Sequence, residues 1–407
     1  MPDLADGETD LRSGLSVWEA RNPKEADAPP ILPLVRTDIA IIGAGITGAL
    51  LAERMTREGR TVALIDRRVP QQGSTAASTA LLQWEIDAPM LELEQRLGFE
   101  TAARIYRRSQ DSVRTIGRLC VAYGLDCDFA PRDAFYLAGN ALDPVLLREE
   151  ARLRLAAGLP SRWISGAELA EEGLIAEAAL RSQGAAEVDP VALARGLLDV
   201  ARQRGAIVLA GIEARDYEIT PQGVTIACDS GGVVVAEHLF LANGYEMPEF
   251  VRSRGHKITS TWAIATAPRT TWPSRAMVWE AAEPYAYMRT TFDGRIVIGG
   301  EDEDITDPET RDAATPGKAA ALRAKLAALF PVAEGASADF SWSGFFGETE
   351  DSLPLIGAAP GSVRTYAAFG YGGNGITFSA MAADILAAAR RGERDADEAF
   401  YALDRFE

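Results

Sequence analysis

Thr37-Asp-Ile-Ala-Ile-Ile-Gly43-Ala-Gly45-Ile-Thr-Gly48-Ala-Leu-Leu decides the fold of this 407-residue chain. Asp38 to Ile42 is a short apolar run, the pattern of a buried strand, and the spacing from Ile46 to Glu58 predicts an apolar-faced helix that Gly59 stops. Thr61 to Ile65 predicts a second strand and completes a βαβ unit. In that setting Gly43, Gly45 and Gly48 permit a tight turn, close approach of a pyrophosphate and helix packing. The free N–H groups at the helix start, around Ile46 and Thr47, form an anion site. Asp66 ends the second strand, where a carboxylate accepts hydrogen bonds from a ribose hydroxyl. Arg67 beside it is a further candidate. The unit predicts a dinucleotide-binding, Rossmann-like α/β fold.

The rest of the composition agrees with a globular chain. With 47% hydrophobic and 25% charged residues, 37 Gly and 21 Pro, collagenous, coiled-coil and wholly disordered classes are excluded. At ~150 residues per domain the length predicts two or three domains. A net charge of −18 has the wrong sign for tracking nucleic-acid or membrane phosphates, so small molecules or proteins are the expected partners, with no nucleic acid. Cys120, Cys127 and Cys228 lack the spacing of a disulfide framework, a zinc site or a C-x-x-C pair. No metal site is expected, and a reducing, cytoplasmic location is. The start carries no secretory pattern, and the apolar stretch Ile39 to Ala52 is too short and too glycine-rich for an integral membrane segment.

Residues 1–36, with five prolines and little periodicity, read as an N-terminal arm lying over a domain. Helical spacing marks Leu91 to Leu97, Thr101 to Tyr123 and Pro144 to Ala157, a helical insertion with a strand at Phe135 to Leu137. Asp189 caps a helix, and strands follow at Ala206 to Leu209, Val224 to Cys228 and Val233 to Leu241. Strand-rich sequence runs from Lys257 to Gly300, then a helix from Pro316 to Leu329. Finally Thr365 to Phe369 leads into a glycine motif and a helix from Ile376 to Arg391.

The βαβ motif alone does not separate FAD from NAD. Three segments favour a flavin. Gly73-Ser-Thr-Ala-Ala-Ser-Thr-Ala80 is a run of small residues suited to close approach of a long cofactor. Ala242-Asn243-Gly244 ends a β-run. Gly370-Tyr-Gly-Gly-Asn-Gly375 again leads from a strand into a helix, so that Gly372, Gly373, Asn374, Gly375 and Ile376 present free N–H groups to an electron-rich ring edge.

In their order these motifs resemble the D-amino-acid oxidase-like superfamily of FAD-dependent oxidoreductases. Ser16-Val-Trp18, Ala242 to Tyr245 and Gly370 to Ser379 look most like its γ-glutamylputrescine oxidase-type branch. The resemblance implies a GR2-type FAD domain (37–90, 181–250 and 341–407) and a substrate or cap domain on an antiparallel sheet (91–180 and 251–340). It further implies that Ala214 offers backbone atoms to adenine, and that Thr75, Ser78, Thr79, Ala80 and Leu82 line pyrophosphate and flavin. The implied chemistry is hydride transfer from the carbon beside a neutral amine to flavin N5, giving an imine that hydrolyses, with no dedicated protein nucleophile.

Departures from the family pattern narrow that chemistry. Phe346 stands where many members carry an arginine for the substrate carboxylate, which removes the main anchor of a simple α-amino acid. Gly344 stands where some members attach flavin through a cysteine, so FAD is expected to be noncovalent. Val297 stands at the oxygen-activating lysine, which leaves the electron acceptor open between oxygen and another carrier. Trp84, Trp262, Tyr285, Tyr287, Trp342 and Phe345 are candidates for an aromatic substrate enclosure, and Arg289 for a distal carboxylate. The competing expectations are an FAD-dependent 2-hydroxy-acid dehydrogenase and a flavoprotein subunit of a larger complex.

Overall fold

The computed structural model describes residues 10–23, 34–220, 222–251 and 253–407. The acidic start of the expected arm and most of its proline-rich run lie outside them. Two sheets organise the chain. In the first, Leu355–Ala358, Thr365–Phe369, Val233–Leu241, Leu34–Ile42, Val62–Asp66 and Ile207–Ala210 are neighbours in that order. All but the first pairing are parallel.

Burial on both faces explains the continuous apolar runs in these strands. Ile39 and Ile41 pack on one side with Leu50, Leu51, Leu197 and Leu198 from helices Ile46–Arg57 and Pro190–Gln203. Ala40, Ile42, Ala63 and Ile65 face the other side, where Ala214–Thr220 and Gly223–Cys228 supply Tyr217, Val224 and Ile226. Each fully buried Leu, Ile or Val among them contributes about 1.5–3 kcal/mol. Asp189 caps its helix by accepting from the amides of Val191 and Ala192, with Pro190 in the first turn.

The second sheet is mostly antiparallel and holds ten strands among the described residues. Ala338–Thr349, His256–Thr266, Ile296–Glu303, Ala286–Thr290, Met277–Glu280, Ala130–Leu137 and Ala178–Glu187 form its body. Strand pairing crosses the boundaries expected from sequence. Ala178–Glu187 and Ala338–Thr349 pair within this sheet, although 181–187 and 341–349 were assigned to the cofactor-binding part. Arg12–Gly14 of the arm adds an edge strand against Trp342–Gly344. The arm then continues into the capped turn Val17–Arg21, whose Trp18 is fully buried.

One helix begins earlier than its sequence suggests. Pro308–Leu329 starts at the Asp307 cap, with Pro308 in the first turn, and carries Pro316 in its interior. Reading Pro316 as the start mistakes an interior proline for a capping one. The true start has the same Asp-Pro pattern as Asp143-Pro144 and Asp189-Pro190.

Candidate active site

A single long cavity runs from the carboxyl ends of Leu34–Ile42 and Val62–Asp66 to the face of the second sheet. At its first end Gly43 has φ +103°, and a Cβ there would lie 2.3 Å from the Ala242 carbonyl oxygen. A Cβ on Gly48 would lie 1.9 Å from the Gly43 carbonyl oxygen, so the helix sits as close to the turn as a backbone allows. Thr75 Oγ1 accepts from the Ile46 amide at 3.0 Å, and Thr47 Oγ1 lies 2.7 Å from Ser379 Oγ. Asp66 Oδ2 accepts from the Ala44 amide at 2.7 Å and Oδ1 from the Arg68 amide at 2.8 Å. Burial pushes the Asp66 carboxyl above its ordinary range, against those two N–H donors.

Gly43, Gly45, Ile46, Thr47, Asp66, Arg67, Thr75, Ser78, Thr79 and Ala80 all line this cavity. So do Ala214, Ala242, Asn243, Gly244 and the run Gly372 to Ile376. Gly48 supports the turn from behind and does not line it. The Arg67 guanidinium is held by Glu246 and by Glu213, and Arg68 reaches Glu246 at 2.7 Å. Asn243 Oδ1 is buried without a hydrogen-bond partner, an orphan acceptor beside the glycine turn. With the two close backbone approaches, this polar cradle fits a dinucleotide.

Leu82 departs from its expected role. Leu81, Gln83, Glu85 and Asp87 line the cavity, while Leu82, Trp84 and Ile86 are fully buried in the main core. The extended segment turns alternate side chains inward and outward. Trp84 accordingly donates Nε1–H to the Gln183 carbonyl at 2.9 Å and does not line this cavity.

Three more substrate candidates prove to be supports. Trp262 faces helix Pro308–Leu329 and donates to the Arg311 carbonyl at 3.2 Å, while its neighbour Thr261 lines the cavity. Trp342 donates to the Ala77 carbonyl at 2.8 Å from inside a separate core cluster, which also takes Val297. Arg289 is buried against the Trp18 ring, and its Nη1 donates to the carbonyls of Ala80 at 2.6 Å and Val188 at 3.0 Å. Its guanidinium therefore fixes the Gly73 to Ala80 loop and is turned away from any substrate carboxylate. Desolvation lowers its pKa to about 10.

Tyr285, Tyr287, Phe345 and Phe346 do line the cavity, joined by Trp279 and Tyr245, which the sequence did not single out. The Tyr285 and Tyr287 rings are tilted at 34° with centroids 5.8 Å apart, and Trp279 stacks on Tyr136 at 3.7 Å. Tyr285 donates to Asp302 Oδ2 at 2.5 Å. Burial and the Asp302 charge push the Tyr285 phenol well above its ordinary value, so it stays protonated.

The C-terminal glycine motif is stitched to the 83–87 segment. Asn374 Nδ2 donates to the carbonyls of Glu85 at 2.8 Å and Gln83 at 3.2 Å, and the Gly373 amide donates to Asp87 Oδ2 at 2.9 Å. Glycine is favoured at Gly372, where φ is +54° and a Cβ would lie 2.3 Å from Asp87 Oδ2 and displace that carboxylate. Asp87 is exposed to the open cavity, and partial desolvation by the protein around it, with the charges of Glu348 and Asp302, pushes its carboxyl up to about 6. Behind it Arg154 is fully buried, 2.6 Å from Glu150 and 3.6 Å from Glu85. A signal for Gln83, Glu85 and Asp87 was present: polar residues recur every second position in Leu81-Leu-Gln-Trp-Glu-Ile-Asp87.

Among the described residues no group of His, Cys, Asp and Glu is arranged to hold a metal ion, and no helix is long and apolar enough to cross a membrane. The thiols of Cys120 and Cys127 are buried, unbonded and 3.7 Å apart.

The family model described as FAD dependent oxidoreductase matches residues 38–389. The chain is 23% identical over 404 residues to the γ-glutamylputrescine oxidoreductase of Escherichia coli (strain K12), covering 96% of this chain and 92% of the relative. Among solved structures, glycine oxidase from Geobacillus kaustophilus superposes with a TM-score of 0.77 at 22% identity, over 91% of this chain and 99% of that one. The L-amino acid deaminase of Proteus myxofaciens superposes with a TM-score of 0.78 at 16% identity, over 98% of both chains. At these identities the structural matches establish a shared fold.

Proposed function

The chain belongs to the FAD-dependent oxidoreductase family, and from that premise we propose that it oxidises the C–N bond of an amine or amino acid to an imine, which water hydrolyses. The observation that carries the reading is the division of one cavity into a nucleotide cradle around Gly43 and Asp66 and an aromatic compartment around Tyr285 and Tyr287.

The helix start at Ile46 and Thr47, with Thr75, binds the pyrophosphate, and Asp66 holds the ribose. Ala214 meets adenine, and the helix start at Gly375 and Ile376 faces the ring edge, the Gly373 and Asn374 amides being taken by Asp87 and the Tyr371 carbonyl. FAD supplies, when bound, the two-electron acceptor for the hydride leaving the substrate carbon. The protein's own contribution is orientation and exclusion of water: Trp279, Tyr285, Tyr287 and Phe346 wall the amine. Neither the cysteines nor the histidines of the chain line the cavity, which supports noncovalent FAD. The discontinuous segments around the first sheet form the cofactor-binding part, and the second sheet roofs the substrate.

The test is anaerobic. Amines, polyamine conjugates, amino acids and hydroxy acids are added in turn to the purified protein while the flavin band near about 450 nm is followed. Bleaching by an amine or amino acid, with release of a carbonyl product, is expected. Bleaching by hydroxy acids alone overturns the reading. Admitting oxygen to the bleached sample then reports whether oxygen is the acceptor.

A further inference from the structure

We infer that Asp87 receives a substrate amine as its ammonium ion, the proton passing to the carboxylate before the neutral amine is oxidised, and that the aromatic compartment selects amines with no carboxylate on the reacting carbon. The inference rests on the amine-oxidation reading and names its substrate class.

Asp87 is open to the cavity, and among the described residues no ion pair holds it. Its one hydrogen bond is to the Gly373 amide, at a position where Gly372 leaves room for the carboxylate. The acidic groups that reach it are Glu348 on strand Ala338–Thr349 and Asp302 on strand Ile296–Glu303, and both repel its charge. Glu348 is itself engaged by Lys257 at 3.0 Å and by Thr259. Exposed to the open cavity, this carboxylate stands ready to pair with a cation that enters it, a charge-assisted hydrogen bond stronger than a neutral one. The rings of Trp279, Tyr285 and Tyr287 line the same cavity, and aromatic faces attract cations.

The basic side chains lining the cavity are Arg67 and Arg68, both tied to Glu246 at the Asp66 end. Among the described residues no basic side chain lines the aromatic compartment, and the donors it offers a carboxylate are neutral, among them Gln83 Nε2, which is buried without a partner. A substrate carboxylate there meets Asp87 with no guanidinium to offset it, whereas an ammonium meets its complement.

The FAD-loaded protein is titrated with tert-butylamine, which has no hydrogen on the carbon bearing nitrogen and cannot be oxidised, and separately with pivalate, its similarly shaped anion. The perturbation of the flavin spectrum reports binding. Expected is binding of the tert-butylammonium ion, weakened at least tenfold in Asp87→Asn, with pivalate binding more weakly than the amine to the unmodified protein. Equal affinity of Asp87→Asn and the unmodified protein for the amine overturns the inference, as does tighter binding of pivalate. Where Asp87→Asn fails to retain flavin, the amine and pivalate comparison on the unmodified protein decides alone. Amines that bind through Asp87 and never bleach the flavin would sink the amine-oxidation reading and leave this assignment standing. Bleaching by amines that Asp87→Asn does not weaken would do the reverse.

Discussion

Arg289 Nη1 lies 2.6 Å from the Ala80 carbonyl oxygen, across 209 positions of sequence. Ala80 sits at φ +57°, a left-handed conformation that costs a non-glycine residue energy, and the arginine holds it there. Arg289→Met leaves the carbonyls of Ala80 and Val188 without their buried donor, at about 1–3 kcal/mol for each group left unpaired. The expected outcome is a lower melting temperature and weaker flavin retention. Loss of a substrate carboxylate contact would instead raise KM with flavin content intact.

Gly48 and Asp66 separate steric from polar contributions to the cradle. Gly48→Ala places a methyl group 1.9 Å from a backbone oxygen. The protein should lose about 1–3 kcal/mol of stability along with its flavin. Asp66→Ala should fold and bind FAD at least tenfold more weakly, about 1.4 kcal/mol or more. Flavin absorbance per protein after gel filtration reads both.

Asp87 makes a signed pH prediction. Its folded pKa of about 6 lies above the ordinary 3.8, so the folded state holds this proton more tightly than the unfolded chain. Its contribution to stability is fully present below pH 3.8 and is lost as pH rises through about 6. Asp87→Asn should therefore melt higher than the unmodified protein at pH ~8 and alike at pH ~3.5. Glu348 and Asp302 face the same carboxylate and set the direction. A lower melting temperature for the variant at the higher pH would contradict it.

Phe346 lines the cavity, and Arg311, behind the Phe345 ring at 4.5 Å, does not line it. Phe346→Arg supplies the fork that a carboxylate needs, and kcat/KM for α-amino acids relative to matched amines should rise about tenfold or more. An unchanged ratio would show that the ring does not face the substrate.

The βαβ unit was legible because hydrophobic period, three glycines and a terminal acid coincide over thirty-odd positions, each constrained by backbone geometry. The direction of single side chains was not. Thr261 lines the cavity and Trp262 the core, one residue apart on the same strand, and only the register against Ser343 and Gly300 decides which. Ala178–Glu187 escaped notice because its alanines, Gly184 and polar residues give no β-branched run. Asp87 escaped because its role depends on Gly372 and Gly373, brought against it from the far end of the chain.

The most direct measurement is the visible spectrum of the purified protein, followed by the spectrum of the supernatant after heat denaturation. Flavin bands at about 450 nm are expected in the first and all of that flavin, as FAD, in the second. A colourless protein that takes up no added FAD would contradict the assignment of the Gly43 and Asp66 cradle, and flavin remaining with the precipitate would contradict noncovalent binding.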